Sequence, residues 1–408
     1  MQAEKPKVAL IATVGKTLEP IEITVIEHEP DFVVLIASED TMGVASNLRE
    51  RFAELAFKTL LLNEPEDLTE TFRIAREALS YAKKEGATQV IADITGGTKP
   101  MTAGLVLALS GLGVIFSYVG GEKRDPKTGR VITGSERVRL LEDPTARFHE
   151  LEWQAFKTSW NAWRMDSAAA MLGRILANPE LLTPAEQKFY QNLLQVTRGL
   201  SAWDRFQHVE ALEAIEEGLP IAFAIAEAWR HGNKVRVLKA LEEYLPRLKR
   251  LVEKRGKPTM GLLADLLANA ERRAESGRYD DAVARLYRAL ELAAEADLYT
   301  RTGIVLSDPS TWPETLGKVP RERAQNLFGL SSVLDLAFDI DLRLGHQGTL
   351  AQRLRGKLED ENFNRILYKR HRSILAHGTE PVNEEDYQAF LEVFKELALS
   401  PAEPWPRW

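Results

Sequence analysis

The chain has no cysteine. That excludes disulfide frameworks, thiolate zinc sites and cysteine nucleophiles together, and it is consistent with a reducing cytoplasm. Nor is there an excess of positive charge: 53 Lys and Arg face 60 Asp and Glu, for a formal net charge of -7. A globally basic nucleic-acid coat is excluded, so a polyanion has to be met by a local patch. A long apolar span is missing as well. The longest uncharged stretch, Ala103 to Val119, approaches membrane-spanning length, but Gly111 and Gly113 divide it into a helix-like half and a β-branched, aromatic half. It reads as a buried helix followed by a buried strand of a soluble, cytoplasmic protein. The first residues, MQAEKPKVALIATVG, are charged ahead of a short apolar run that enters a glycine turn; they read as a first strand and not as a signal peptide.

What is present is enough chain for about two or three domains. Its 44% apolar and 28% charged residues argue against long disorder. Up to about residue 140 the pattern alternates between strand and helix. KVALIATVG (7–15), FVVLIAS (32–38), TQVIADITGG (88–97) and VIFSYVGG are strand-like, while 69–86 and KPMTAGLVLALSGLG are helical. Continuous apolar strands separated by helices mean a parallel sheet covered on both faces. A hairpin follows, with Asp125–Gly129 as its turn. From about Phe148 onward only helices are expected. One helical hairpin spans 258–299, with Gly277 at its C-cap and Asp280 as the next N-cap, and further helices are expected at 321–337, 349–358, 362–377 and 384–399. No fixed-period repeat runs through this part.

The segment DITGGTKPMTAG (93–104) lies between a strand and a helix, at the sheet edge where such folds bind ligands. Gly96 and Gly97 let backbone amides approach a phosphate, Lys99 adds a cation, and Pro100 suits a first helical turn. Thr95 and Thr98 carry hydroxyl donors. The plainer reading is a tight turn capped by threonine, but such a turn rarely needs Thr-Gly-Gly-Thr-Lys. No G-x-G-x-x-G follows the first strand. Gly15-Lys16-Thr17 ends like a P-loop, yet Leu10 stands where its first glycine belongs, so ATP hydrolysis is rejected there. Gly15 and Lys16 are expected either to face the same pocket or to form a solvated turn.

Near the other end, KRHRSILAHG (369–378) holds Arg372 and His377 five residues apart, some 140° around one helix at about 100° per residue. Two antiparallel copies about a two-fold axis would let the pairs converge. Between Arg353 and Arg372, seven basic residues (Arg353, Arg355, Lys357, Arg365, Lys369, Arg370, Arg372) face three acidic ones, which suits a phosphodiester backbone. With Gly378 as C-cap, His377 would sit at the negative end of its helix and suit a general acid or an electrostatic stabiliser better than a base, with Arg372 stabilising charge on phosphorus and Ser373 as a third polar group. A solvated arginine and a helix-end histidine are the plain alternative on spacing alone.

Together the two ends resemble the CRISPR-associated CARF–HEPN ribonucleases of type III systems. DITGGTKPM looks like the CARF ligand loop, and RSILAH, Arg372 to His377, matches the Arg-x4-His motif of HEPN nucleases. The resemblance implies a Rossmann-like α/β CARF domain (1–147), a helical connecting region (148–254) and an all-α HEPN bundle (255–408). It implies a homodimer that binds a cyclic oligoadenylate, tetra- or hexa-adenylate, through Thr95, Gly96, Gly97, Thr98, Lys99, Gly15 and Lys16. No further cofactor or metal is implied. Arg372 and His377 would then cut single-stranded RNA and leave cyclic 2′,3′-phosphate ends. Many members carry Asn or another strong polar residue directly after the arginine, where this chain has Ser373. Two other readings stand beside it: a signal-binding regulator whose helical part only docks a partner, and a sheet domain that degrades its own cyclic ligand.

Overall fold

The computed structural model describes residues 5–123, 126, 132, 134–316, 321–325, 327 and 329–408. These form two compact units, Met1–Leu151 and Glu152–Trp408. The first holds β1 (Val8–Thr13), β2 (Phe32–Ser38), β3 (Ala56–Leu62), β4 (Gln89–Asp93), β5 (Ile115–Gly121) and β6 (Glu136–Leu141) in the order β3-β2-β1-β4-β5-β6. The first five are parallel, and β6 runs antiparallel to β5. The expected hairpin is present in its strands; apart from Pro126, its turn at Asp125–Gly129 lies outside the described residues. Helices α1 (Glu19–His28) and α2 (Met42–Arg51) cover one face, and α3 (Leu68–Lys84) and α4 (Lys99–Leu109) the other. Leu10, Val33 and Leu35 pack with Ile21, Val25 and Leu48, while Ile11, Val34 and Ile36 pack with Ile74, Ala78 and Leu105. Burial on both faces is why the inner strands are apolar without alternation.

Three elements have no counterpart in the sequence reading: α1, α2 and β3. The middle of α1, Ile-Glu-Ile-Thr-Val-Ile, is β-branched and favours a strand locally. Packing of Ile21 and Val25 on the sheet overrides that preference, with Pro20 accommodated in the first turn. Strand β3 is an edge strand with mixed exposure, so it lacks the continuous apolar signal of its neighbours.

After the short α5 (Pro144–Arg147), the rest is helical. One group, α6 (Glu150–Asn161), α7 (Met165–Leu176), α8 (Pro184–Asp204), α9 (His208–Ala228), α10 (Gly232–Glu242) and α11 (Leu245–Glu253), closes on Phe156, Trp160, Trp203 and Leu219. Trp405, far along the chain, completes this core, and Trp160 donates to the Pro406 carbonyl at 2.8 Å. The other group, α12 (Met260–Glu275), α13 (Tyr279–Thr302), α14 (Gly329–Arg343), α15 (Leu350–Lys357), α16 (Glu361–His371) and α17 (Glu384–Glu396), surrounds Leu290, Leu334, Phe390 and Phe394. Buried polar ties join the two groups: Asp204 accepts from Arg272 at 3.0 Å and from Asn269 at 2.8 Å, and Asp265 accepts from Trp203 at 3.1 Å.

Two expectations are corrected. The helix expected over 321–337 is divided, with a 3-10 turn at Arg321–Gln325 and α14 starting only at Gly329, where φ is +78°. Asp280 is not an N-cap; Arg278 holds that position without a side-chain bond. The Asp280 carboxylate instead accepts the Val382 amide at 3.0 Å, while Gly277 takes the expected left-handed turn at φ +72°.

Candidate functional site

Strand order places one site. From β1 the chain winds outward through β2 and β3, and from β4 it winds the other way through β5 and β6. The carboxyl ends of β1 and β4 therefore flank the point where winding reverses, the usual ligand crevice of an open α/β sheet. The loops leaving those ends are 14–18 and 94–98, the two segments singled out from the sequence.

Glycine brings the loops together. A Cβ on Gly96 would lie 2.5 Å from the Thr13 carbonyl oxygen and 3.0 Å from the Gly15 nitrogen. A Cβ on Gly15 would lie 3.0 Å from the Gly97 nitrogen, and Gly97 itself has φ +89°. The Thr13 hydroxyl donates to the Gly96 carbonyl at 2.6 Å, closing the contact. Both candidate threonines use their hydroxyls inward: Thr95 donates to Asp93 at 3.1 Å and accepts the Val119 amide at 2.7 Å. Thr98 donates to the Pro65 carbonyl at 2.6 Å and caps α4 by accepting the Met101 amide. Outward, the loops offer backbone. Among the described residues, the amides of Gly15, Lys16, Gly96, Gly97 and Lys99 have no protein acceptor, and the Lys16 and Lys99 side chains are exposed. Converging free amides at a helix N-terminus suit phosphate.

Beneath the loop lies a polar cluster that the sequence reading missed. Asp93 is fully buried and accepts from the Thr95 amide at 3.0 Å and from Thr24 at 3.1 Å. Burial pushes its carboxyl above the ordinary range, against the pull of those bonds. His28, hydrogen-bonded to Ser117 at 2.9 Å, is pushed down by burial while Asp93 works the other way. A buried acid two residues ahead of a threonine is the signature of such an underpinning, legible in DIT once the strand end is known.

The second site corrects the sequence reading. Helix α16 does not run to 377; it ends at His371 with Arg372 as C-cap, so neither the 140° separation nor a Gly378 cap applies. A compact turn follows, in which Ser373 donates to Arg370 at 3.1 Å, Ala376 to Ser373 at 3.0 Å and His377 to His371 at 3.2 Å, all through backbone. Gly378 and Glu380 return to Ser373 and Arg372 at 3.2 and 2.9 Å. A Cβ on Gly378 would come within 2.1 Å of the Arg372 carbonyl oxygen, so only glycine fits this crossing.

The turn presents side chains. Arg372 is about half exposed, donates to the Tyr368 hydroxyl at 3.1 Å and pairs with Glu380 at 2.5 Å. The Tyr368 bond and then the Glu380 charge hold its guanidinium above the ordinary range. His377 is exposed, and the turn brings it beside His371. Burial, then Arg370 and His377, push the His371 imidazole below its usual value. Ser373 lies under the turn at 2% exposure. Tyr368 stands four residues before Arg372 on one helix face, a spacing that sequence alone could have flagged; Glu380 and His371 carried no such signal. Of the basic stretch, Arg355 pairs with Asp335, Lys357 with Glu396 and Lys369 with Asp386. Arg353 and Arg365 have no ion-pair partner among the described residues.

A glycine loop at the switch point of a Rossmann-like sheet, followed by a helical bundle with an exposed Arg-x4-His turn, is the arrangement of a CARF–HEPN protein. The chain belongs to this CRISPR-associated family: residues 251–400 match the Csm6 HEPN domain and residues 148–245 the Csm6 6H domain. Among solved structures, Csm6 of Enterococcus italicus bound to cyclic hexa-2′-fluoro-hexa-dAMP is similar at 11% identity and a TM-score of 0.49, over 97% of this chain and 93% of that one. Can2 of Sulfobacillus thermosulfidooxidans in complex with cyclic tetra-adenylate is similar at 17% identity and a TM-score of 0.26, over 46% of this chain and 58% of that one. A type III CRISPR defence DNA nuclease activated by cyclic oligoadenylate is similar at 22% identity and a TM-score of 0.26, over 34% and 20%. No curated protein matches the sequence. Among the described residues no helix is long and apolar enough to cross a membrane, and no His, Asp and Glu side chains gather as metal ligands would.

Proposed function

We propose that the protein is a cyclic oligoadenylate-activated endoribonuclease that cuts single-stranded RNA without a metal and leaves cyclic 2′,3′-phosphate ends. The observation that carries this reading is the turn after α16, which displays Arg372 and His377 to solvent within the segment that matches the Csm6 HEPN domain. In the reaction the ribose 2′-hydroxyl gives its proton to a base and its oxygen bonds to the adjacent phosphorus, while the bond to the 5′-oxygen breaks and that oxygen takes a proton. His377 is the side chain placed to transfer that proton, and Arg372 faces the charge that builds on the phosphoryl oxygens. Ser373, beneath the turn, holds its shape and does not reach RNA.

The protein acts as a homodimer, which supplies two histidines for the two proton transfers. Support comes from the surface beside the pair, where Tyr368, Ile374 and Leu375 are 58%, 67% and 50% exposed, an apolar rim of the kind that a second copy covers. The activator sits across the free amides of Gly15, Lys16, Gly96, Gly97 and Lys99, its phosphates on backbone N–H groups and the Lys99 side chain. Incubation of labelled single-stranded RNA with cyclic tetra- or hexa-adenylate in the presence of chelator tests the whole reading. Stimulated cutting by the wild type and none by His377→Ala is expected; equal cutting by both, or no stimulation, rejects it. Intact activator after long incubation separates sensing from degradation of the signal.

A further inference from the structure

We propose that a cavity in the second unit, where α7 begins against the α12–α13 turn, binds a phosphorylated small molecule of nucleotide size. The cavity holds about 500 Å³, within the range of small-molecule sites. It is lined by Arg164, Arg205, Arg273 and Arg278 against two carboxylates, Asp166 and Asp204. In a chain of net charge -7 that is a local reversal of sign.

The carboxylates are already spent. Asp204 carries Arg272 at 3.0 Å and Arg273 at 2.5 Å, and Asp166 carries Arg205 at 3.3 Å. Asp281, behind the wall, serves Arg285 and stands 3.4 Å from Arg273 and 4.0 Å from Arg278. Asp265 is taken by Arg247 and His208. Four guanidinium groups thus share Asp204 and Asp281, and Arg164 at the rim has no ion-pair partner among the described residues. Arg273, 7% exposed, lines the cavity with its Nε in no hydrogen bond.

The opposite wall adds donors. Arg164 is the N-cap of α7 without a side-chain bond, and the amides of Met165, Asp166 and Ser167 have no protein acceptor among the described residues. A twelve-residue helix start with free amides, beside arginines that share too few carboxylates, is complementary to phosphate oxygens, which accept forked guanidinium bonds. Burial, and then the Arg273 charge, hold the Arg278 guanidinium below its ordinary range, and a bound anion would relieve that crowding. The walls come from both helical groups, so a ligand here would tie the start of the HEPN hairpin to α7 and α8. This inference does not depend on the nuclease reading.

Calorimetry and thermal melting of the full chain with pyrophosphate, AMP and ATP at constant ionic strength test it. At least one probe should bind and raise the melting temperature of both the wild type and Lys99→Ala. Affinity should fall about tenfold or more in Arg278→Ala and in Arg164→Ala, each of which removes one charged donor. Hydrogen exchange should slow at residues 165–167 on binding. No stabilisation by any probe overturns the proposal, as does binding that is lost in Lys99→Ala but kept in Arg278→Ala, which would place the ligand at the sheet edge. Melting of the ligand-free variants reports their folding, and the exposed Arg164 keeps the test alive if Arg278→Ala is unstable.

Discussion

The loop after β4 and the turn after α16 are both tight reversals that only glycine permits, and they use backbone and side chain in opposite ways. At the sheet edge the hydroxyls of Thr13, Thr95 and Thr98 are turned inward, and the free groups are amides. In the helical turn the amides of Ser373, Ala376, His377, Gly378 and Glu380 are all bonded, and the groups turned to solvent are the side chains of Arg372 and His377. In the proposed function the sheet edge holds a signal in one fixed geometry, which stiff backbone donors provide, and the helical turn moves protons. Proton transfer needs a group that titrates, and no backbone amide does.

That contrast sets the expected size of each perturbation. Removing the imidazole in His377→Ala should lower activator-stimulated RNA cutting by about 10²–10⁴-fold and leave activator binding unchanged; titration calorimetry beside a cleavage time course checks both halves. Gly96→Ala should do the reverse damage. Its Cβ would fall 2.5 Å from the Thr13 carbonyl oxygen, so the loop must move, and activator affinity should drop by about a hundredfold while the helical unit melts as before. Lys99→Ala removes one cation and keeps the amides, so a loss of about tenfold in affinity is expected, seen in the same calorimetry. A larger loss would mean that the site is built from side chains after all.

The smallest effect concerns pH. The folded-state value of His371 lies below its unfolded one, so the unfolded chain takes up the proton first as pH falls. Its contribution to stability is therefore intact above the unfolded value of about 6.5 and declines as pH falls through it toward the folded value. His371→Phe should flatten the melting temperature of the helical unit between pH 7 and 5, and an unchanged slope would remove His371 from the account of this turn.

Much of this was legible in the sequence because burial on two faces leaves an unmistakable pattern. β1, β2, β4 and β5 and the glycine loop stand out for that reason. α1 was hidden by its own β-branched residues, whose local preference loses to the packing of Ile21 and Val25. The end of α16 was hidden differently: nothing between Arg372 and His377 breaks a helix, and the chain turns because Gly378 crosses the Arg372 carbonyl. Contacts of that kind appear only once the fold brings the two residues together. The pair Arg372 and His377 was visible as a spacing, but its companions Glu380 and His371 came only from the turn itself.

The placement of Trp405 in the α6–α11 core has a consequence in time. Synthesis runs from the amino end at about 5–20 residues per second, so α11 is complete roughly eight to thirty seconds before Trp405 is joined to the chain. Through that interval Trp163 and Trp203 lack the ring they pack against, at 6.4 and 5.5 Å in the finished structure. The six-helix group, made in the middle of the chain, therefore gains its last core ring only after the helices that follow it have been made.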